Sequence, residues 1–259
     1  LKVALCIYGQ PRFIENPHTW ASHKYHIIDR YNADVFTHCW INKDNNIFEY
    51  ADQVKEELKT NEIENSDQII LKKYKPKKYI FEQSKNFYLD DNTRELLLLK
   101  KKIYEERVNG TFNYTLNNEK NHLSQFYSIS KCINLLENEK YDWIILSRYD
   151  NYIYDFPNLY MLDSNNLYID NTYSYNFADV LIFGGQSQMK TLDCFDILPE
   201  LTKKIYYFTP EEYKRVAYQR LYGYDPPIIG EYNYEIGQEK RVRIGVGVVR
   251  SNSLENLQI

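Results

Sequence analysis

The sequence predicts an α/β protein built on a mostly parallel central sheet with helices on both faces. Three observations carry that reading. Short apolar runs of strand length alternate with longer amphipathic stretches. The first two runs, 2–8 (KVALCIY) and 34–40 (DVFTHCW), enclose a helical stretch at about 17–31, the order of a βαβ unit with parallel strands. The run Trp143-Ile144-Ile145-Leu146 is apolar throughout, as a strand covered on both faces must be.

The elements follow in order. The first strand breaks at Gly9-Gln10-Pro11-Arg12, and the helix after it carries Trp20, Ala21, Ile27, Ile28 and Tyr31 on one face. Residues 43–70 are polar and helical in part. KKYIFE at 77–82 reads as a third strand, and the basic KKYKPKK at 72–78 as its solvated entrance. Asn92-Thr93-Arg94-Glu95 has the form of a capping box opening a helix that Asn109-Gly110 closes. A further helix starts near Ser124, with Phe126, Ile129, Ile133 and Leu136 at helical spacing, and leads into the strand at 143–147. Leu167–Ile169 and Val180–Phe183 are short strands, the second ended by Gly184-Gly185. Thr209-Pro210-Glu211-Glu212 supplies an N-cap, a first-turn proline and a capping-box glutamate for a helix to about Leu221, stopped by Gly223. Pro226-Pro227 opens a last segment, with a helix around 228–236 and a strand around 241–250. There is no internal repeat or low-complexity tract, so a single domain over 1–259 is expected.

Composition narrows the function. No run approaches the roughly 18–20 apolar residues of a membrane span, and LKVALCIYGQ reads as a first strand rather than a signal peptide. The formal net charge of −4 argues against a general nucleic-acid binder, which needs a basic face for phosphates. Cys6, Cys39, Cys132 and Cys194 are scattered, without a CxxC pair, and read as buried thiols in a reduced compartment. The 26 tyrosines accompany abundant Asn, Lys and Ile, the mark of AT-rich coding, and are not read as a carbohydrate platform.

Open parallel sheets bind ligands outside the carboxyl ends of their strands. Three such ends here carry polar groups that a plain turn does not need: Gly9-Gln10-Pro11-Arg12, His38-Cys39-Trp40 and Arg148-Tyr149-Asp150. Gly9 would let a ligand approach the backbone, Arg12 would fork onto a phosphate, and Trp40 would stack on a base or sugar. Asp150 is placed to hold Mn²⁺ or Mg²⁺ bridging a diphosphate. The alternative is a surface ion pair between Arg148 and Asp150, worth about 0–1 kcal/mol, and spacing alone leaves both open. Neither GxGxxG nor GxxxxGK[ST] is present, which counts against dinucleotide and P-loop sites.

KVALCIYGQPR, DVFTHCW, SQFYSISK and YDWIILSRYD, in that order, resemble a glycosyltransferase-like family of phages, giant viruses and bacterial polysaccharide clusters. The resemblance covers roughly residues 1–185, with a poor match over 41–110. It implies a GT-A-like fold, with a nucleotide-sugar-binding half over 1–150 and an acceptor-side half over 151–259. It places Gly9, Gln10, Arg12, His38, Trp40, Gln125, Ser128, Arg148 and Asp150 at the donor, with Asp150 as the metal ligand. Asp150 matches only the second acid of the Asp-x-Asp motif such enzymes carry, and Arg148 stands at the first. Asp179 resembles the acidic residue of the acceptor site and would serve as base; a turn aspartate is the plain alternative, and Glu231 is the second candidate.

The expected function is therefore transfer of a sugar from a nucleoside-diphosphate sugar to a saccharide or glycoprotein hydroxyl in surface or capsid glycan synthesis. The expected setting is cytoplasmic, bacterial or in the host of a virus, with a divalent cation and without nucleic acid or a transmembrane segment. The alternatives are a non-catalytic carbohydrate-binding protein and another α/β enzyme such as a methyltransferase.

Overall fold

Residues Val3–Gly9 form strand β1, in which no side chain from Val3 to Tyr8 is more than 2% exposed. Such a strand has to lie inside a sheet covered on both faces. The computed structural model describes residues 1–41, 65–108, 116–169, 180–205, 209–222 and 245–248, and β1 lies there. It pairs in parallel with β2 (Asp34–Ile41) on one side and β4 (Trp143–Arg148) on the other. β3 (Lys78–Gln83) extends the sheet in parallel beyond β2. Beyond β4, β7 (Leu181–Gly184) pairs antiparallel, and β6 (Leu167–Ile169) pairs antiparallel with β7. The order is β3-β2-β1-β4-β7-β6, and a separate two-stranded sheet joins β5 (Asn151–Asp155) to β8 (Gly245–Val248). The class expected from sequence, α/β with a mostly parallel sheet, is the one observed.

Strand alternation sorts two helical layers. Val3, Leu5 and Ile7 pack in one cluster with Ile14, Ile27, Tyr31, Ile70 and Tyr74. The covering elements are α1 (Pro17–His23), a π turn (Lys24–Ile28), α2 (Asp29–Tyr31) and α3 (Ser66–Tyr74). Ala4, Cys6 and Tyr8 pack on the other face with Ile129, Cys132 and Ile133 of α5 (Leu116–Asn134). Met189 of α6 (Gln186–Met189) and Tyr218 of α8 (Pro210–Tyr222) belong to the same cluster. α4 (Asp91–Val108) and α7 (Leu198–Thr202) join α5 and α8 in a third cluster around Leu97, Phe126, Leu201 and Tyr213. Among the described residues no helix is long and apolar enough to cross a membrane.

Several boundaries differ from the sequence reading. The helix predicted over 17–31 is continuous but passes through the π turn, and Asn32 ends it in the left-handed region at φ 48°. α5 begins at Leu116 rather than near Ser124, so Gln125 and Ser128 lie inside a helix and not at its start. In the turns ahead of Ser124, Glu119 faces inward, fully buried, and accepts from Arg94 Nη2 at 2.8 Å and Leu89 N at 3.0 Å. Asp90, not the Asn92 box, caps α4 by accepting from Thr93 N at 3.0 Å. β5 was not foreseen, because it follows β4 after only the Tyr149-Asp150 turn. The lysine-rich entrance to β3 is as read: Lys77 Nζ lies 2.9 Å from Asp34 and 2.7 Å from Glu139. The stops at Gly110 and Gly223, the helix at 228–236 and most of 43–70 lie outside the described residues.

Gly184-Gly185 closes β7 by backbone contact. Gly185 N donates to Ser164 O at 2.9 Å, and a Cβ on Gly184 would come 2.7 Å from Asn166 O. A Cβ on Gly185 would press on the Ser164 carbonyl more tightly still. Gly185→Ala is expected to destabilise the protein by about 1–3 kcal/mol, the usual range for overpacking. Urea denaturation checks it, and an unchanged midpoint would show that the 163–166 turn yields freely.

Candidate functional site

The chain leaves β1 in one direction towards β2 and β3 and returns on the other side as β4, so strand order reverses between β1 and β4. A crevice opens at the carboxyl ends on either side of such a switch point. Register sets its level: Tyr8 pairs with His38 on β2 and with Arg148 on β4, and Gly9 pairs with Cys39. The three polar strand ends read from sequence thus finish side by side at one edge of the sheet.

The turn after β1 is tightly constrained. Gly9 has φ +100°, which disfavours any side chain, and no atom lies within 4 Å of where a Cβ would stand. Arg12 N donates to Gln10 O at 2.8 Å, and Arg12 Nε donates to Gln10 Oε1 at 2.7 Å. Phe13, at φ 54°, is held in the left-handed region although it is not glycine. Such a conformation costs on the order of 1–3 kcal/mol and persists only where its surroundings over-determine it. Phe13 is buried, and its carbonyl accepts from Asn16 N at 2.9 Å and Thr19 Oγ1 at 3.3 Å. Asn16 in turn caps α1 by accepting from His18 N at 2.9 Å, with Pro17 at the first helical position.

After β4, Arg148 and Asp150 form a two-point pair. Nε donates to Oδ1 at 2.9 Å and Nη2 to Oδ2 at 2.5 Å. It is not the surface pair weighed from sequence, because the Asp150 side chain is 2% exposed and that of Arg148 21%. Between them Tyr149 is wholly buried, its hydroxyl bonded to Thr37 Oγ1 and its ring edge-on to Tyr74. A polar layer unseen in the sequence lies beneath. His23, wholly buried, bonds through Nε2 to Ser147 Oγ at 2.9 Å and through Nδ1 to Tyr74 OH at 3.2 Å. Asn151 Nδ2 donates to the same Ser147 Oγ at 2.8 Å and to Val180 O.

On the α5 face the predicted residues are brought together but turn inward. His38, fully buried, bonds to Ser128 Oγ at 2.7 Å. Trp40 is 2% exposed, stacked on Tyr127 at a centroid distance of 5.5 Å and tilted against Phe87, so it offers no open face to a base or sugar. Gln125 Nε2 donates to Tyr8 OH at 3.3 Å, one strand from Arg148. Glu82, missed in the sequence, pairs in register with Trp40 and accepts from Tyr127 OH at 3.1 Å. Its signal was the single carboxylate at the end of KYIFEQ, next to His38 only once β2 and β3 are paired. Asp179 and Glu231 lie outside the described residues.

No protein-family model matches the chain, and no curated protein sequence matches it. Among solved structures, core-mannan synthase A from Aspergillus fumigatus, in a form described by Mn and GDP, is similar at TM-score 0.43 and 10% identity, over 85% of this chain and 69% of that one. The manganese and GDP belong to that protein.

Asp150 does not fit the role of principal cation ligand. Both its oxygens already accept from a guanidinium, and among the described residues no group of three or more His, Cys, Asp or Glu could hold a metal ion. The one buried acceptor nearby without a hydrogen-bond partner among the described residues, Asn151 Oδ1, belongs to a side chain with no exposed surface.

Burial holds both histidines neutral. It lowers His23 to about 4, opposed by the negative charge of Asp150, and lowers His38 to about 4, opposed by Glu82. Unfolding returns each to the ordinary value near 6.5, so between about pH 6.5 and 4 the unfolded chain binds protons that the native state does not. Stability is therefore present above that window and lost as pH falls through it. Around pH 5 the two groups together should lower unfolding free energy by about 2–3 kcal/mol per pH unit. Urea titrations at pH 7, 6 and 5 check this, and a flat profile would place both rings in contact with solvent.

Proposed function

We propose that this chain is a nucleotide-sugar-dependent glycosyltransferase of GT-A type. In this reading the donor's diphosphate lies across the ends of β1 and β4, and the acceptor is a saccharide or glycoprotein hydroxyl in surface or capsid glycan synthesis. The observation that carries the reading is the register of Tyr8 with Arg148, which sets the Gly9–Arg12 turn beside the Arg148–Asp150 turn at a strand-order switch point. The sequence resemblance supports it independently through the same residues.

The open space at Gly9 admits a phosphate to the backbone. Arg12, oriented by Gln10, and Arg148, oriented by Asp150, present guanidinium groups to the diphosphate oxygens. In transfer, the acceptor oxygen bonds to the sugar's anomeric carbon as the bond from that carbon to the diphosphate oxygen breaks. The acceptor proton passes to a carboxylate, for which Asp179 is proposed first and Glu231 second. The leaving diphosphate carries away negative charge, and fixed guanidinium groups stabilise charge where it develops. Gln125, His38, Trp40 and Ser128 shape the floor of the donor side.

The inward packing of Trp40 weighs against an aromatic carbohydrate-binding platform at this edge. The single glycine of the β1 turn weighs against a methyltransferase. A thermal-shift panel of nucleoside diphosphates tests the reading: a ligand at 100 times its Kd adds about 2.7 kcal/mol of stability. No shift with any diphosphate, or a shift with S-adenosylmethionine instead, would remove it. Arg12→Ala should weaken binding of the preferred diphosphate by about 1–3 kcal/mol, the scale of a lost hydrogen bond to a charged group. Titration calorimetry measures this, and equal affinity in the variant would take the β1 turn out of the site.

A further inference from the structure

We infer that the groove between α1 and α3 binds an acidic oligosaccharide of the uronate type, the body of an acceptor chain. The ligand's role as acceptor rests on the transferase reading above; the groove itself does not. It encloses about 790 Å³, within the range of ligand sites. Its lining runs from Glu15, three residues beyond Arg12, to Asp34 at the opening of β2. The helical path of that lining leaves the carboxyl edge of the sheet after β1 and returns to the amino edge before β2. From Trp20 to Ala33 it covers roughly 20 Å at about 1.5 Å per residue. Such a length suits an extended chain and not a single small anion.

Floor and rim differ in character. Trp20, Ile28, Val35, Ile69 and Tyr74 make the floor apolar. Trp20 is half-buried and meets Tyr74 edge-on at a centroid distance of 4.7 Å, which fixes its ring while part of it lines the groove. The rim sets Lys24, Lys72, Lys73, Lys75 and Lys77 against Glu15, Asp29 and Asp34, in a chain whose formal net charge is −4. Lys24 pairs with Asp29, Lys77 with Asp34 and Glu139, and Lys73 Nζ donates to Ile14 O at 2.7 Å beside Glu15. Lys72 and Lys75 are exposed, and neither ammonium has an ion pair or hydrogen bond among the described residues. Lys75 ends α3 at φ 44°, a left-handed position usually taken by glycine or asparagine. Holding a lysine there against its backbone preference points to a use for its charge. The facing wall contains the π turn Lys24–Ile28, and π turns within helices concentrate at functional sites. A uronate chain matches floor and rim together. Its ring faces offer C–H groups to apolar and aromatic side chains, and its carboxylates recur along one edge for the unmatched lysines. A neutral glycan would leave those lysines unused, and an acidic peptide lacks the ring faces.

Trp40 and Trp143 are each 2% exposed, so a change in intrinsic fluorescence on saccharide binding reports Trp20. Titration with tetragalacturonate should give a saturable change that Trp20→Phe removes. In calorimetry, Lys72→Gln/Lys75→Gln should weaken the same ligand about tenfold. Lys102→Gln/Lys190→Gln removes equal charge from exposed positions elsewhere and should leave affinity within about twofold. Maltotetraose, a sugar without charge, and tetraglutamate, an acid without sugar, should each bind at least about tenfold more weakly. No saturable binding of tetragalacturonate overturns the inference. So do equal effects of the two double variants, a fluorescence change that survives Trp20→Phe, or equal binding of tetraglutamate. Melting temperatures of the variants identify any that fail to fold, and the comparison of ligands on the wild type stands without them. Tetragalacturonate binding without binding of any nucleoside diphosphate keeps the groove and removes the transferase reading. The reverse result removes the groove and leaves that reading in place.

Discussion

Strand β1 exposes no side chain before Gly9, and most of the architecture answers to that constraint. Each large apolar side chain it buries contributes about 1.5–3 kcal/mol relative to water. That gain requires a strand on each edge and a helical layer on each face. The carboxyl end is then where β1 and its two parallel neighbours emerge together. Polar chemistry accordingly gathers there, because the core has no room for it.

Rigidity at that edge is supplied from beneath. Phe13 is driven into a left-handed conformation by its own burial and by the capped start of α1. Tyr149 is pinned between Thr37 and Tyr74, and Ser147 is held by His23 and Asn151. The residues on either side of these anchors, Arg12 and Arg148, reach the surface from backbones with little freedom. Keeping His23 neutral matters in this layer, since a second positive charge below Asp150 would compete with Arg148 for it.

Much of this could be read in the chain before folding, and the exceptions have physical causes. Apolar runs such as Cys6-Ile7-Tyr8 and Ile144-Ile145-Leu146 announce strands because a doubly covered strand has no polar face to confuse its period. The start of α5 was hidden because Glu119 looks like solvent-facing loop until Arg94 is brought opposite it. At the site, the GQPR and RYD turns stood out as polar residues where strands end. The facing of Trp40 was legible only in part: Phe36, His38 and Trp40 share one face, but whether that face is open depends on Tyr127 and Phe87. The layer of His23, Ser147 and Asn151 joins residues more than 100 positions apart, and no local pattern encodes such a meeting.

β5 begins at the residue after Asp150 and lies along α1, with Ile153 N donating to Ser22 Oγ at 3.1 Å. Its strand partner, β8, comes about ninety residues further along the chain. A polypeptide emerging from the ribosome folds its early parts first, and closing so long an interval costs more entropy than closing a hairpin. β1 to β4 can therefore assemble while one flank of the Asp150 turn still lacks its neighbour. The nascent molecule has its scaffold before it has the clasp beside the Arg148–Asp150 pair, so the edge that would meet a ligand is the last part of the sheet system to mature.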